Sequence, residues 1–161
     1  VVCAVRGITF TYGVELSLAC DVTIAADNCR FSQLEVLRGI MPTGGATIRF
    51  VQRAGWGNAM KYLLSGMEFN SEEALKMNIV QEVVTADKVF SRAKEIAKSI
   101  ASAAPLAVKE TIKSAKIALE KGREAAVSEF DVVQEMLALS NDANEGVEAF
   151  KNKQTPNFKG N

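Results

Sequence analysis

The sequence predicts an α/β chain in two parts, and three observations carry that prediction. Two short runs, Val-rich at 1–5 and β-branched at 22–26, are bounded by turn residues and read as strands. Between and after them stand helix punctuation marks, such as the capping-box pattern Asn70-Ser-Glu-Glu and a closing glycine at Gly66. After Thr85 the strand pattern stops and only the helical period remains. The division is therefore a β/α part at 1–84 and an all-helical part at 85–161.

In chain order, 1–5 is a continuous apolar run ended by Arg6-Gly7 and fits a fully buried strand. Residues 9–13 read as a turn and 14–19 as a short helix, whose first amides point back at that turn. A second strand at 22–26 is followed by a turn at Asp27-Asn28 and a brief extended piece from Phe31 to Glu35. Residues 39–45 are a loop, 46–53 a helix, and Gly55-Trp56-Gly57 a break. A helix at 59–64 is closed by Gly66. Asn70 caps a short helix ending near Met77-Asn78, and 79–84 is a strand. Helices are then predicted at 88–103, from Pro105 to about Lys121, over 123–139, and from an Asp142–Glu145 cap to Phe150, with a polar tail at 151–161.

Composition narrows the chemistry. The chain has 161 residues, 48% hydrophobic and 24% charged, which is enough for a real core. Nineteen basic and 19 acidic side chains give a formal net charge of zero, which argues against nucleic acid or an anionic membrane as partner. No apolar stretch is long enough to span a bilayer. Cys3, Cys20 and Cys29 lack metal spacing and read as small core residues of a reduced, cytoplasmic protein. There is no histidine, which removes the histidine-dependent nucleophile systems and most zinc sites. Acid–base chemistry then falls to carboxylates, Lys, Tyr, Cys or backbone groups. No metal is expected. A strand at the first residue would lack a neighbour, so an N-terminal part is expected to be missing.

Within 1–49 two glutamates stand out among apolar neighbours, each just after a turn signal: Glu15 and Glu35. Paired carboxylates in a dry pocket suit a reaction that takes one proton and gives another, because apolar surroundings raise proton affinity and neighbouring carboxylates resist ionising together. The bland alternative for each is a helix-end or salt-bridged residue.

Longer stretches carry a family pattern. Gly7-Ile-Thr-Phe-Thr-Tyr-Gly-Val-Glu-Leu, followed closely by Ala19-Cys20-Asp21, resembles the Gly-rich segment of the crotonase superfamily, the enoyl-CoA hydratases and isomerases. Phe31 through Arg49 resembles that family's second segment, matched at Glu35, Gly39, Pro42, Gly44-Gly45 and Thr47-Ile48-Arg49. Leu64 through Ala74, Glu145 through Lys153, and Pro156-Asn-Phe-Lys-Gly resemble its later signatures. The resemblance runs in order along nearly the whole chain. It implies a spiral of β-β-α turns lacking its N-terminal part, then a helical trimerisation region, so that the chain is the rear portion, roughly three-fifths, of a member.

The resemblance also implies a chemistry. Glu15 and Glu35 take the places of two catalytic glutamates that hold one water. One acts as base while water adds to the β-carbon of an acyl-CoA, and the other helps deliver a proton to the α-carbon. An oxyanion N–H is implied at Tyr12, beside Gly13, where relatives commonly carry a run of three glycines; here Thr11-Tyr12-Gly13 stands instead. The tyrosine either packs the turn or shapes the acyl pocket. Leu34 replaces a common proline, and Thr43 stands where many relatives have glycine next to the catalytic water. Phe150 and Lys153 match positions that reach the CoA of a neighbouring subunit; otherwise they are core and surface residues.

The implied function is an enoyl-CoA hydratase with CoA as part of the substrate and no separate cofactor, assembled as a homotrimer or dimer of trimers. The alternatives are an isomerase or C–C hydrolase acting on a cyclic or branched acyl-CoA, and a non-catalytic assembly subunit.

Overall fold

A computed structural model describes residues 1–161. The chain forms two compact units, Val1–Ala97 and Lys98–Asn161.

The first unit is built by repetition. Strands β1 (Val2–Val5) and β2 (Ile8–Phe10) lead into helix α1 (Tyr12–Ala19). The same order returns as β3 (Val22–Ala26) and β4 (Arg30–Ser32), then a 3₁₀ turn (Glu35–Arg38) and helices α2 (Ala46–Ala54) and α3 (Trp56–Ser65). Each strand pairs in parallel with its counterpart one turn later, Val2 opposite Val22 and Ile8 opposite Arg30. Two three-stranded sheets result, ordered β1-β3-β6 and β2-β4-β5, completed by β5 (Phe69–Asn70) and β6 (Glu82–Val84), with the short helix α4 (Ser71–Lys76) between. Parallel partners must be joined by crossovers, so α1 and the α2–α4 segment are required by the pairing.

The core lies between these layers. Phe31 of β4 stacks on Phe69 of β5 with centroids 5.3 Å apart, and Tyr62 of α3 lies 4.6 Å from Phe69. Phe50 of α2 closes the cluster at 5.8 Å from Phe69. These rings tie β4 and α2 together, and the segments beyond their ends carry the residues of interest.

The first unit departs from the sequence reading in several places. Strand β1 is not fully buried: it edges its sheet, Ala4 is exposed and the other three residues are half-covered. The expected turn at 9–13 begins as strand β2, because Thr9 is buried and Thr9 and Phe10 pair with Phe31 and Ser32. The first unit also runs past residue 84. Val89 and Ala93 of helix α5 (Val89–Ala101) are buried in its core and Ile96 packs against it.

The capping box forms as read, with Asn70 Oδ1 accepting from Glu73 N at 2.9 Å and Glu73 Oε2 accepting from Asn70 N at 3.1 Å. Gly66 closes α3 at φ 65°.

The second unit holds α6 (Pro105–Lys121), α7 (Arg123–Val127), α8 (Phe130–Ala138) and α9 (Asn141–Lys151). The single helix expected over 123–139 is two, because Ser128 and Glu129 break it, the Ser128 hydroxyl donating back to Ala125 O at 2.9 Å. The last helix is capped by Ser140, whose hydroxyl accepts from Ala143 N, and not by Asp142. Asp142 is buried and accepts from Lys159 N at 2.7 Å and Gly160 N at 2.8 Å, so the polar tail is strapped back onto α9. No helix of either unit is long and apolar enough to cross a membrane.

Candidate active site

Helix α1 begins at an unusual turn. Thr11 has φ 50° and ψ −112°, a region that L-residues seldom enter. Its backbone is held from both sides: Thr11 N donates to Ser32 O at 2.8 Å and Thr11 O accepts from Glu15 N at 3.1 Å. These bonds join the start of α1 to the end of β4. Gly13 lies against Thr9, where a Cβ would come 3.1 Å from the threonine methyl, and Ser17 donates to Gly13 O at 2.8 Å. At its other end, the α1 carbonyl Leu18 O and the adjoining Cys20 O accept from Arg53 Nη2 at 3.2 and 2.6 Å. The favourable placement of a cation at a helix C-terminus explains this position for Arg53.

Glu15 is 4% exposed, one turn into α1. Its Oε1 accepts from Ala46 N at 3.2 Å, the first amide of α2. The same carboxylate lies so close to Gly44 that a Cβ on Gly44 would collide with Oε2 and come 2.6 Å from Cδ. The loop before α2 is held in turn by Arg49, which donates to Gly44 O at 3.1 Å, and Gly45 takes φ 107° at the helix cap. Thr43, next in this loop, is exposed.

Glu35 opens the 3₁₀ turn directly after the β4 extension. Its Oε2 is buried without a partner, and so are both amide atoms of Gln33, a fully buried side chain. Leu34 between them is half-buried and precedes the turn. Gly66 packs behind it, its Cα so near Leu37 that a Cβ would meet Cδ1 at 2.7 Å. Three segments therefore converge on the start of α1: Tyr12–Glu15 itself, 32–35 through the Thr11–Ser32 bond, and 43–46 through the Glu15–Ala46 bond. Tyr12 does not pack the turn: it is 76% exposed.

The sequence alone misses Gln33, a buried amide with no motif signal of its own. It also misses Ala46, which contributes only its N–H, and the conformation of Thr11. Gly44 is visible beforehand only as half of a glycine pair.

The Enoyl-CoA hydratase/isomerase family model matches residues 1–161. The chain belongs to the enoyl-CoA hydratase/isomerase family. It is 36% identical over 164 residues to the 2,3-dehydroadipyl-CoA hydratase of Escherichia coli K12, covering 99% of this chain and 62% of that protein. It is 35% identical to the carnitinyl-CoA dehydratase of Proteus mirabilis, covering 99% and 63%. A crystal structure of a probable enoyl-CoA hydratase/isomerase from Mycobacterium abscessus superposes with a TM-score of 0.98 at 44% identity, over 99% of this chain and 62% of that one. The chain thus spans a little under two thirds of the length of these relatives. The superposition establishes the crotonase-like fold, and the paired strands of successive turns are its spiral.

Phe150 and Lys153 both lie in the second unit. Phe150 is 85% exposed and borders an apolar cavity of about 670 Å³, together with Leu106, Leu137, Val147 and Phe158. Lys153 is exposed at φ 55°, just beyond α9.

Proposed function

We propose that the protein is an enoyl-CoA hydratase-type lyase, in which Glu15 and Glu35 hold and activate water for addition across the 2,3 double bond of an acyl-CoA. The observation that carries this reading is the setting of Glu15. A buried carboxylate is fixed by a backbone N–H, next to a glycine that leaves no room for a side chain, and such a group has one oxygen committed and one to spare. In this reading one carboxylate takes a proton from water as its oxygen bonds to the β-carbon, and the other delivers a proton to the α-carbon. Charge that develops on the thioester oxygen is met by the N–H of Tyr12, at the start of α1, where helix amides are unpaired. Gly13, Leu34 and Thr43 border the substrate. The acyl group arrives as its CoA thioester, and neither a metal nor a separate cofactor is invoked.

Active assembly is proposed as a homotrimer or dimer of trimers, with Phe150 and Lys153 reaching the CoA of a neighbouring subunit. The exposure of both residues supports that role.

The test follows loss of enoyl thioester absorbance with crotonyl-CoA in the full-length protein and in Glu15→Gln and Glu35→Gln. The parent is expected to turn over, and each variant to fall about a hundredfold or more while still binding CoA esters. Variants within about threefold of the parent would exclude the two-carboxylate mechanism.

A further inference from the structure

We propose that this site is built for an acyl-CoA whose acyl chain carries a hydroxyl group, recognised by the hydroxyls of Thr11, Tyr12 and Thr43. The proposal rests on the hydratase reading above and adds a substrate class to it. It starts from Thr11, whose φ of 50° and ψ of −112° match the first central position of a type II′ turn, a position that glycine fills at least cost. A β-branched residue held there is strained, and such strain persists only where the surroundings enforce it. Glycine would make the same two backbone bonds, to Ser32 O and from Glu15 N. The backbone therefore does not account for the side chain.

What threonine adds is a hydroxyl, and the structure gives that hydroxyl no partner within the chain. The next residue repeats the pattern. Tyr12 is exposed, its phenol is likewise unengaged, and it stands three residues before Glu15 on the same side of α1. Thr43 brings a third free hydroxyl on the loop whose Gly44 abuts the Glu15 carboxylate. Three groups, each able to donate and to accept, thus stand on the two segments that meet at the Glu15 carboxylate. A plain alkyl chain seated against them strips their hydration and returns nothing. An acyl hydroxyl restores those hydrogen bonds, and a site built in this way discriminates against the analogue that lacks the group.

The experiment compares two CoA esters of the same heavy-atom count, 4-hydroxycrotonyl-CoA and 2-pentenoyl-CoA, in the full-length protein. The parent is expected to favour the hydroxylated ester by about tenfold or more in kcat/KM, and Thr11→Val/Tyr12→Phe/Thr43→Val to bring that ratio near one. Thr11→Gly is expected to melt higher, through relief of strain, and yet to lose part of the ratio. A higher-melting Thr11→Gly with an unmoved ratio makes the strain purely structural and overturns the assignment of Thr11. Equal kcat/KM for the two esters in the parent, or a ratio unmoved in the triple variant, overturns the proposal as a whole while leaving hydration intact. If neither ester nor crotonyl-CoA turns over, hydration itself has failed, and calorimetric Kd values decide the present point. A hydroxylated ester bound about tenfold tighter upholds it, and equal affinities overturn it.

Discussion

A methyl group added at Gly44 would meet the Glu15 carboxylate head-on, touching Oε2 and lying 2.6 Å from Cδ. Gly44 does not have a positive φ, so alanine there meets no backbone penalty and tests contact alone. Either the loop or the carboxylate must move, and the loop is tied by Arg49 to Gly44 O and by Ala46 N to Glu15. If Glu15 acts as proposed, Gly44→Ala is therefore expected to lower kcat with crotonyl-CoA by about a hundredfold, since misplacement of about 1 Å in a reacting group has that effect. The accompanying loss of stability is about 1–3 kcal/mol, as for other overpacked sites. Parent-like turnover in this variant would show that the Glu15 position tolerates displacement and is not under catalytic constraint.

At the scale of elements, helix α5 is joined to strand β6 by a two-pronged ion pair. Arg92 Nε and Nη2 donate to Glu82 at 2.7 and 2.9 Å, while Nη1 reaches Glu95 at 2.9 Å. The hydrogen bonds from Arg92 hold the Glu82 carboxyl below its ordinary value of 4.5. A carboxylate lowered by folding stabilises above its unfolded pKa, and that stability is lost as pH falls through the folded value. The side chains are 41% and 36% exposed, so the pair contributes no more than about 1 kcal/mol. Glu82→Gln is expected to lower Tm slightly at pH 7 and to converge with the parent as the pH falls below 4.5 and on through the lowered folded value, measured by thermal melts across that range. A difference that stays constant with pH would assign the loss to packing.

The same elements show why parts of the fold are legible in the sequence and others are not. Strand β3, the Asn70 cap and the Gly66 stop each carry a local signal, a β-branched run, a capping pair or a closing glycine, and all form where they are read, whereas helix α1, which has no side-chain cap, starts at Tyr12 inside the expected turn. Strands β2 and β5 are three and two residues long, too short for any period, and exist because β4 lies between them. The break at Ser128–Glu129 leaves the apolar stripe uninterrupted and is invisible to periodicity. Among the candidate-site residues, Glu15 and Glu35 are legible through their motifs. Gln33 and the Ala46 amide depend on contacts between distant segments, which no local pattern encodes.

Across the molecule the two units are held in different ways. The first has a continuous apolar core from Val14 to Ala93. In the second, the buried apolar residues are Ala126 and Ala149, while Leu119, Val132, Leu139 and Phe150 are exposed. Polar fastening compensates there. Asp142 accepts from Lys159 N and Gly160 N, Glu145 from Asn157 N at 2.8 Å, and Asn161 O from Asn141 N at 2.8 Å. This strap lays Phe158 against Gly146 and Gly160 against Pro105, joining α9 to the start of α6. Removing this acceptor leaves two part-buried amides without their partner, at no more than about 1–3 kcal/mol each. Asp142→Ala is accordingly expected to release the tail and loosen α9, read as loss of amide hydrogen-exchange protection over 141–161. Protection of α1 and β3, whose bonds do not involve the strap, should stay as in the parent. Asp142→Asn, which keeps an acceptor oxygen, should recover part of the protection. Equal protection of the tail in the parent and Asp142→Ala would mean that apolar contacts of Phe158, and not the carboxylate, hold it in place.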